Sequence, residues 1–251
     1  MSRFAFALAA LIGFALAVQP ADPPEPLISK ESFRRAADAD IAYLQTTLPE
    51  IATTPEKRQE SKKKVSKGVA MLLVRYADWL GDDALKSQAL KVVQKIGEDD
   101  WKAAAQESKE LKAPKADKAI LKAPLPKITH AEVFAPFRGA TVGGLNIDRD
   151  LKVQTKAATR VDQIDVKLAE LIGVRSATLL ELGAELPPFN GDRKFTEREW
   201  NHNNYATNRA GREVAIEAAK GDKADRAKLK KLLTTLNARC SNCHISDGRD
   251  D

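Results

Sequence analysis

Hydrophobic residues recur at steps of three and four along most of the chain, which is the period of an α-helix with one apolar face. In the first half this spacing predicts four helices, at 29–48, 65–80, 85–96 and 101–111. Pro49 follows the first of these helices. We expect it to end that helix, because proline has no N–H with which to continue the backbone hydrogen bonds.

The second half begins with a segment, 128–151, that carries two phenylalanines and several glycines and predicts a short helix followed by a loop. One long helix is then predicted at 153–182, and we expect Pro187 and Pro188 to stop it. A polar helix at 196–220 and a last helix at 223–245 follow. Nowhere do apolar and polar residues alternate as they do in a strand. The pattern therefore predicts an all-α protein built from one or more helical bundles.

A proline-, lysine- and alanine-rich segment at 113–127 predicts a semi-rigid linker. It separates an N-terminal helical region, 27–112, from a C-terminal domain, 128–251. The N-terminal region is expected to dock a partner, to extend a homodimer by helix packing, or to complete one larger bundle, and the sequence leaves these alternatives open.

The two halves also share a pattern, because a shift of 99 residues brings apolar and aromatic positions into register. Val65 then matches Ile164, and Trp101 matches Trp200. Such a match is compatible with an internal repeat in which the first half is a degenerate copy, although amphipathic helices also align by chance.

The first 18 residues have the composition of an export signal. Arg3 supplies the positive charge, 4–15 is an apolar run, and Ala15-Leu16-Ala17 is a small-residue cleavage site. The run is too short for a spanning helix, and no other stretch is long and apolar enough, so we expect no integral membrane span after signal removal. The sequence thus predicts a periplasmic or otherwise exported protein.

The net charge of the chain and the distribution of its charged residues exclude few classes of function. The chain has 41 Lys and Arg residues against 35 Asp and Glu residues, a formal charge of +6, and both signs are interleaved along the predicted helices. We therefore expect a solvated charged surface, which would suit docking on an acidic protein partner. No basic run is interleaved with aromatics, so nucleic-acid binding is not expected. No nucleophile–base motif is present either, and the sequence predicts a protein that is not an enzyme.

The strongest motif lies at the end of the last predicted helix, where Cys240-Ser241-Asn242-Cys243-His244 reads Cys-x-x-Cys-His. This is the attachment signature of a c-type haem: two thiols form thioethers with the haem vinyl groups, and the adjoining imidazole ligates the iron. Residues three and four apart share a helix face, so Cys240, Cys243 and His244 can meet one porphyrin. The apolar stripe of the last helix leads directly into the motif.

Three other interpretations of the motif are a structural disulfide, a redox dithiol and half of a zinc site. A redox dithiol would be expected in a βαβ context, which the pattern lacks. Zinc needs four ligands, so the two cysteines and His244 would have to be joined by distant His130 or His202. The chain has only two cysteines, which argues against a disulfide framework.

The turn Ala218-Ala219-Lys220-Gly221-Asp222, followed by a helix that ends in this motif near the C-terminus, resembles the cytochrome c-prime family of class II c-type cytochromes. The likeness covers 153–249 and departs from the family after His244, where no aromatic residue follows. It implies a four-helix bundle in the C-terminal half with one haem c per chain. By the same likeness Cys240 and Cys243 carry the haem, and His244 is its fifth, proximal iron ligand.

The sixth iron position has three candidates in the sequence. His130 lies in the glycine-rich segment of the C-terminal half and is the distal candidate that we retain. His202 lies on a polar helix and is expected at the surface, and Met71 lies beside two leucines and is expected in the core. The aromatic residues Phe134, Phe137 and Trp200 are expected to pack in the core or near the haem.

These observations predict an exported mono-haem c-type cytochrome that exchanges single electrons with a redox partner protein. The alternative is a five-coordinate haem protein that binds NO or CO, which would follow if the sixth position were apolar and open. The identity of the distal residue decides between the two functions.

Overall fold

The residues that the computed structural model describes are 27–54, 59–115, 126–157, 160–186 and 196–246. Among them there are nine α-helices and no strand, so the predicted all-α fold class is confirmed. The helices are α1 (Lys30–Ala52), α2 (Gln59–Leu80), α3 (Asp83–Gly97), α4 (Trp101–Lys109), α5 (His130–Phe134), α6 (Ile147–Ala157), α7 (Val166–Ala184), α8 (Glu197–Ala218) and α9 (Arg226–Ser246). Short 3-10 turns lie at Ala135–Phe137, Ala140–Val142, Val161–Gln163 and Gly221–Lys223.

Six of the helices begin at a polar side chain that accepts a hydrogen bond from the backbone N–H three residues ahead. These caps are Ser29, Asp82, Asp100, Thr129, Asp165 and Thr196. Each cap satisfies a donor that the first helical turn otherwise leaves without an intrahelical acceptor. The predicted starts of α1, α3, α4 and α8 lie within two residues of the observed ones, whereas α2 begins at Gln59, six residues before the predicted start at 65.

Pro49 does not end α1 as predicted, because the helix continues to Ala52. A proline in the last turn loses one backbone hydrogen bond, but it leaves the preceding turns intact. Leu48 and Ile51 on either side of it are fully buried. Their burial favours continued helix more than the missing bond disfavours it.

The single helix predicted at 153–182 is also wrong, since α6 ends at Ala157 and α7 begins at Val166. Asp165 caps α7, and its own N–H donates to Gln154 Oε1 at 2.9 Å, which holds the end of α6 against the start of α7. Val161, which the predicted stripe includes, is 37% exposed in the turn between them. The polar contacts therefore reverse the chain where the apolar spacing alone would continue it.

The helices form two rings of neighbours. In the first, α2 packs on α1 and α3, and α4 packs on α1 and α3. In the second, α7 packs on α6 and α8, while α9 packs on α8 and α6, which is the arrangement of a four-helix bundle. The short helix α5 contacts both α2 and α7, and one continuous buried cluster includes residues of both rings.

Ion pairs join the first ring to α7, and in each pair at least one side chain is buried. The pairs are Arg35–Glu170 at 2.5 Å, Asp40–Arg175 at 2.5 Å and Arg75–Glu185 at 2.7 Å. The expectation that charged residues are solvated is wrong for the buried members Asp40, Arg75, Glu170 and Arg175, whereas Arg35 and Glu185 are exposed as expected. A charge removed from water is tolerated here because an opposite charge lies within hydrogen-bond distance.

Two glycines let α7 and α8 approach each other backbone to backbone. A Cβ atom on Gly173 would lie 2.6 Å from the nitrogen of Ala215 and 2.7 Å from the carbonyl oxygen of Gly211. A Cβ atom on Gly211 would lie 3.0 Å from the nitrogen of Ala177. Small residues four positions apart on both helices, Gly173 with Ala177 and Gly211 with Ala215, therefore make the closest crossing of the second ring.

Several predicted boundaries fall outside the described residues, namely the export signal at 1–18, the stop at Pro187 and the central part of the linker at 113–127. The division into 27–112 and 128–251 stays a prediction. The matched pair Val65 and Ile164 differ in structure, because Val65 lies inside α2 and Ile164 precedes α7. In the part of the chain that the structure describes, no helix combines the length and apolarity needed to cross a membrane.

Candidate functional site

The last predicted helix is present as α9, and its backbone stays helical through the Cys-x-x-Cys-His motif to Ser246. Leu229, Leu233 and Leu236 are fully buried, and Cys240 is half-buried and packs against the same core. These four residues follow each other at steps of four, three and four, so Cys240 continues the buried face of α9.

The rest of the motif lies on the same helix face. Cys243 and His244 are three and four positions beyond Cys240, which places these backbone positions over the same side of α9. Of the motif's functional side chains, the structure describes that of Cys240 alone. The backbone therefore presents two thiol positions and one imidazole position to a single side of the helix.

The direction of α9 is fixed by a buried carboxylate at the end of α8. Glu217 Oε1 accepts from the N–H of Asp225 at 3.0 Å, and Glu217 Oε2 lies 2.7 Å from Lys220 Nζ and 2.9 Å from Lys228 Nζ. Burial by itself would raise the pKa of Glu217, but the hydrogen bonds from Lys220, Lys228 and the Asp225 backbone lower that pKa to about 2. Gly221, with φ of 59°, allows the tight turn.

This turn makes α9 run back along α8. Glu217 and Trp200 are 17 residues apart on α8, and Lys228 and Ile245 are 17 residues apart on α9. At about 1.5 Å per residue, both intervals span about 26 Å. Because Lys228 contacts Glu217, the end of α9 that carries the motif lies level with the start of α8, where Trp200 is located.

An aromatic cluster, formed by His130, Phe134 and Trp200, lies at the start of α8. The His130 and Trp200 rings meet edge to face with centroids 5.4 Å apart, and Phe134 meets Trp200 edge to face at 6.2 Å. The Nε2 atom of His130 is buried, and Trp200 is 6% exposed. By the helix arithmetic above, this cluster and the motif occupy the same end of the second ring.

Two capping boxes hold the cluster in place. In α5, Thr129 and Glu132 bond to each other's backbone on either side of His130, and Lys67 of α2 contacts Glu132 at 2.8 Å. In α8, Thr196 caps the helix in the same way just before Trp200. The sequence signal that could have located both segments is the Thr-x-x-Glu spacing that precedes each helix.

Phe134 packs against α7 at Gly183, which has no side chain to keep the ring away. A Cβ atom on Gly183 would lie 2.6 Å from Phe134 Cζ, so the ring sits directly against the glycine backbone. The predicted core packing is confirmed for Phe134 and Phe137, which pack against the buried cluster, while contact with a haem stays a prediction. Phe134 and Trp200 pack against each other, and Phe137 is 6.2 Å from Phe134.

The other two candidate ligands differ from His130 in their surroundings. His202 lies at the same end of the second ring, two residues after Trp200, but it is exposed on α8, as predicted. Met71 is fully buried in α2 of the first ring, also as predicted. Of the three sixth-ligand candidates, His130 is thus the one that lies at this end with its ring packed in the aromatic cluster. Among the side chains that the structure describes, which do not include Cys243 and His244, no group of three or more histidine, cysteine or acidic residues could hold a metal ion.

The donor set at positions 240, 243 and 244 matches what a covalently bound haem requires: two thiols, one imidazole and a helical backbone that brings all three to one side. The half-buried position of Cys240 beside an apolar core also suits a flat apolar macrocycle.

The fold and the site together define a class, an all-α helical bundle with a Cys-x-x-Cys-His motif on its last helix. No known family model, no curated protein and no solved structure matches the chain.

Proposed function

We propose that this chain is an exported mono-haem c-type cytochrome, similar to the class II cytochromes, that carries single electrons. The observation that carries the proposal is the Cys-x-x-Cys-His motif on α9, where Cys240 continues the buried face of a four-helix ring. Bound haem supplies reversible one-electron redox chemistry of its iron. The export signal predicted at 1–18 supports a periplasmic or otherwise exported location.

Each residue of the motif has a distinct role in this proposal. Cys240 and Cys243 hold the macrocycle by thioether bonds, so that it stays bound when the protein unfolds. His244 would hold the iron through an imidazole nitrogen. Leu233, Leu236 and the rest of the buried face of α9 keep water from that side, which favours the less charged redox state of the iron.

The experiment is a haem stain of the protein on a denaturing gel after expression with an export and maturation system. The wild-type chain and His202→Ala, an exposed histidine variant on α8, should both keep their stain. The double variant Cys240→Ala/Cys243→Ala should lose it. A wild-type protein that releases its haem on denaturation, or never carries any, would refute covalent attachment.

His130 is proposed as the distal ligand, because it lies at the motif's end of the bundle with its Nε2 atom buried. A six-coordinate iron with two imidazoles suits electron transfer, since both redox states keep the same ligands. We expect a low-spin spectrum that CO leaves unchanged, and a high-spin, CO-binding spectrum in His130→Ala. His202→Ala is the matched control.

The alternative function, binding of NO or CO at a five-coordinate iron, is favoured by Phe134 and Trp200, which would give the distal side an apolar wall. In that case the wild-type ferrous spectrum shifts on addition of CO, and His130→Ala leaves the shift unchanged. The same pair of spectra therefore decides between the two functions.

The proposed partner is a redox protein, and the basic balance of the chain, +6, would favour one with an acidic surface. A homodimer formed through the N-terminal helices is a second proposal, which sedimentation of the haem-loaded protein would test. Nucleic-acid binding and enzymatic turnover are not part of the proposed function.

A further inference from the structure

A cavity of about 360 Å³, with both polar and apolar lining groups, lies where α7 and α8 meet the end of α2. Its lining includes Trp79 of α2, Glu181 and Glu185 of α7, and Asn204, Tyr205 and Arg212 of α8. We call it the α7–α8 cavity. Its volume is within the range of about 300–1,000 Å³ that small-molecule sites occupy.

The polar groups of this cavity are held in place before any ligand arrives. Arg212 Nε donates to Asn208 Oδ1 at 2.8 Å, and Asn208 Nδ2 donates to the Ala177 carbonyl oxygen at 2.6 Å. The Trp79 indole N–H donates to Glu181 Oε2 at 3.2 Å. Asn208 and Arg212 are both more than nine-tenths buried. A rigid set of donors and acceptors lowers the entropy cost of binding a polar ligand.

The charges around the cavity balance, which argues against a charged ligand. Arg75 lies 2.7 Å from Glu185 and 3.7 Å from Glu181, and Arg212 lies 3.6 Å from Glu181. Both carboxylates thus already face a guanidinium. For a ligand of either charge, the attraction by one pair of groups is largely cancelled by the repulsion from the other pair, so a charged ligand gains little over a neutral one.

The hydrogen-bonding groups favour hydroxyls as the ligand's polar groups. Each carboxylate oxygen accepts more than one hydrogen bond, so Glu181 and Glu185 can accept from neighbouring hydroxyls while they stay paired with arginine. Asn204 also lines the cavity, and its Nδ2 donates one hydrogen bond to the Trp200 carbonyl oxygen at 3.1 Å, so its amide oxygen and second N–H are the groups that a hydroxyl would meet.

An exposed aromatic ring completes the arrangement. Tyr205 is 43% exposed and is one of four large hydrophobic residues that are exposed among the described residues. It lines the same cavity as Trp79. An aromatic face beside carboxylates and amides can stack on the C–H face of a pyranose ring while the polar groups bind its hydroxyls.

We propose that the α7–α8 cavity binds a neutral polyhydroxylated ligand of the size of a monosaccharide. Tyr205 supplies the stacking face, Glu181 and Glu185 accept from hydroxyls, and Asn204 contributes an amide. The site is independent of the haem motif, so its test does not rest on the proposed function.

The test is a titration of the full-length protein with D-glucose, D-galactose and D-mannose, followed by the indole N–H resonance of Trp79 in ¹⁵N spectra. Trp79→Phe assigns that resonance. Glucuronate and glucosamine serve as an anion and a cation of matched ring size. We expect a saturable shift with at least one neutral sugar and a weaker response to both charged analogues.

Tyr205→Ala should raise the dissociation constant at least about tenfold, or about 1.4 kcal/mol, and should leave the melting temperature unchanged because its side chain is exposed. Glu185→Gln should weaken binding in the same direction. His202→Ala, also exposed on α8 but outside the cavity lining, should bind as the wild type does. The proposal is overturned if no neutral sugar shifts the resonance, if a charged analogue binds more tightly than all of them, or if Tyr205→Ala binds unchanged.

Discussion

Arg175 of α7 donates two hydrogen bonds to one carboxylate oxygen of Asp40 in α1, from Nε at 2.9 Å and from a terminal nitrogen at 2.5 Å. Both side chains are buried. The contact joins the first ring of helices to the bundle that carries the haem motif. Removing this contact therefore tests whether the two rings depend on each other for stability.

Asp40→Ala should lower the free energy of unfolding by about 3–5 kcal/mol, because it leaves the Arg175 guanidinium buried without its partner. Asp40→Leu combined with Arg175→Met should recover much of that loss, since neither charge then remains. Urea unfolding measures both variants. Asp162→Ala, which removes an exposed ion pair with Arg160, is the control and should cost no more than about 1 kcal/mol. A similarly small loss in Asp40→Ala would show that the buried pair does not stabilise the fold.

That contact also illustrates what the sequence could and could not predict. The apolar period located the helices around Leu72 and Leu233, because a helix of this length must bury one face. Nothing in the local pattern distinguishes Asp40 or Arg175 from solvated charges. Their pairing depends on how α1 crosses α7, which is a tertiary relationship 135 residues apart in the chain.

The same limit applies to the break between α6 and α7. The apolar spacing continues through Val161, so the pattern predicts one helix. The hydrogen bond from the Asp165 N–H to the Gln154 side chain reverses the chain, and such a bond has no periodic signature. For the site, the motif on α9 was predictable because its chemistry is local. The contact between the His130 and Trp200 rings was not predictable, because it depends on how α5 packs against α8.

Gly173→Ala should lower the free energy of unfolding by about 1–3 kcal/mol, because the new methyl group would lie 2.6 Å from the Ala215 backbone nitrogen. The helices α7 and α8 would have to move apart along their closest crossing. Thermal and urea unfolding provide the measurement. Gly97→Ala is the matched control: a Cβ atom there meets nothing within 4 Å, so this change should be neutral or should stabilise by up to about 1 kcal/mol. Equal effects of the two changes would contradict the close crossing.

Glu217 predicts a pH dependence at the turn between α8 and α9. Its pKa in the folded protein is about 2, below its ordinary value of 4.5, so its stabilising effect is complete above pH 4.5 and is lost as the pH falls from 4.5 towards 2. Glu217→Gln should therefore lower the free energy of unfolding by up to about 3 kcal/mol at pH 7 and by progressively less towards pH 2. Urea unfolding across this pH range tests the slope.

The control for that series is Glu213→Gln, which removes an exposed pair with Arg209 on the same helix. It should change the stability by less than about 1 kcal/mol at neutral pH. If Glu217→Gln and the wild type differ by the same amount at pH 2 as at pH 7, the carboxylate charge is not what holds the turn.

His244→Ala tests the proposed iron ligand separately from haem attachment. The thioethers at Cys240 and Cys243 do not involve the imidazole once formed, so haem-loaded protein should still be obtained. Helix α9 should persist, since alanine is a strong helix former. The absorption spectrum should shift, because the iron loses its proximal nitrogen, and added imidazole should restore a spectrum close to that of the wild type. His202→Ala, treated in the same way, should neither shift nor respond. A His244→Ala spectrum identical to the wild type and insensitive to imidazole would show that another residue holds the iron, even with covalent attachment intact.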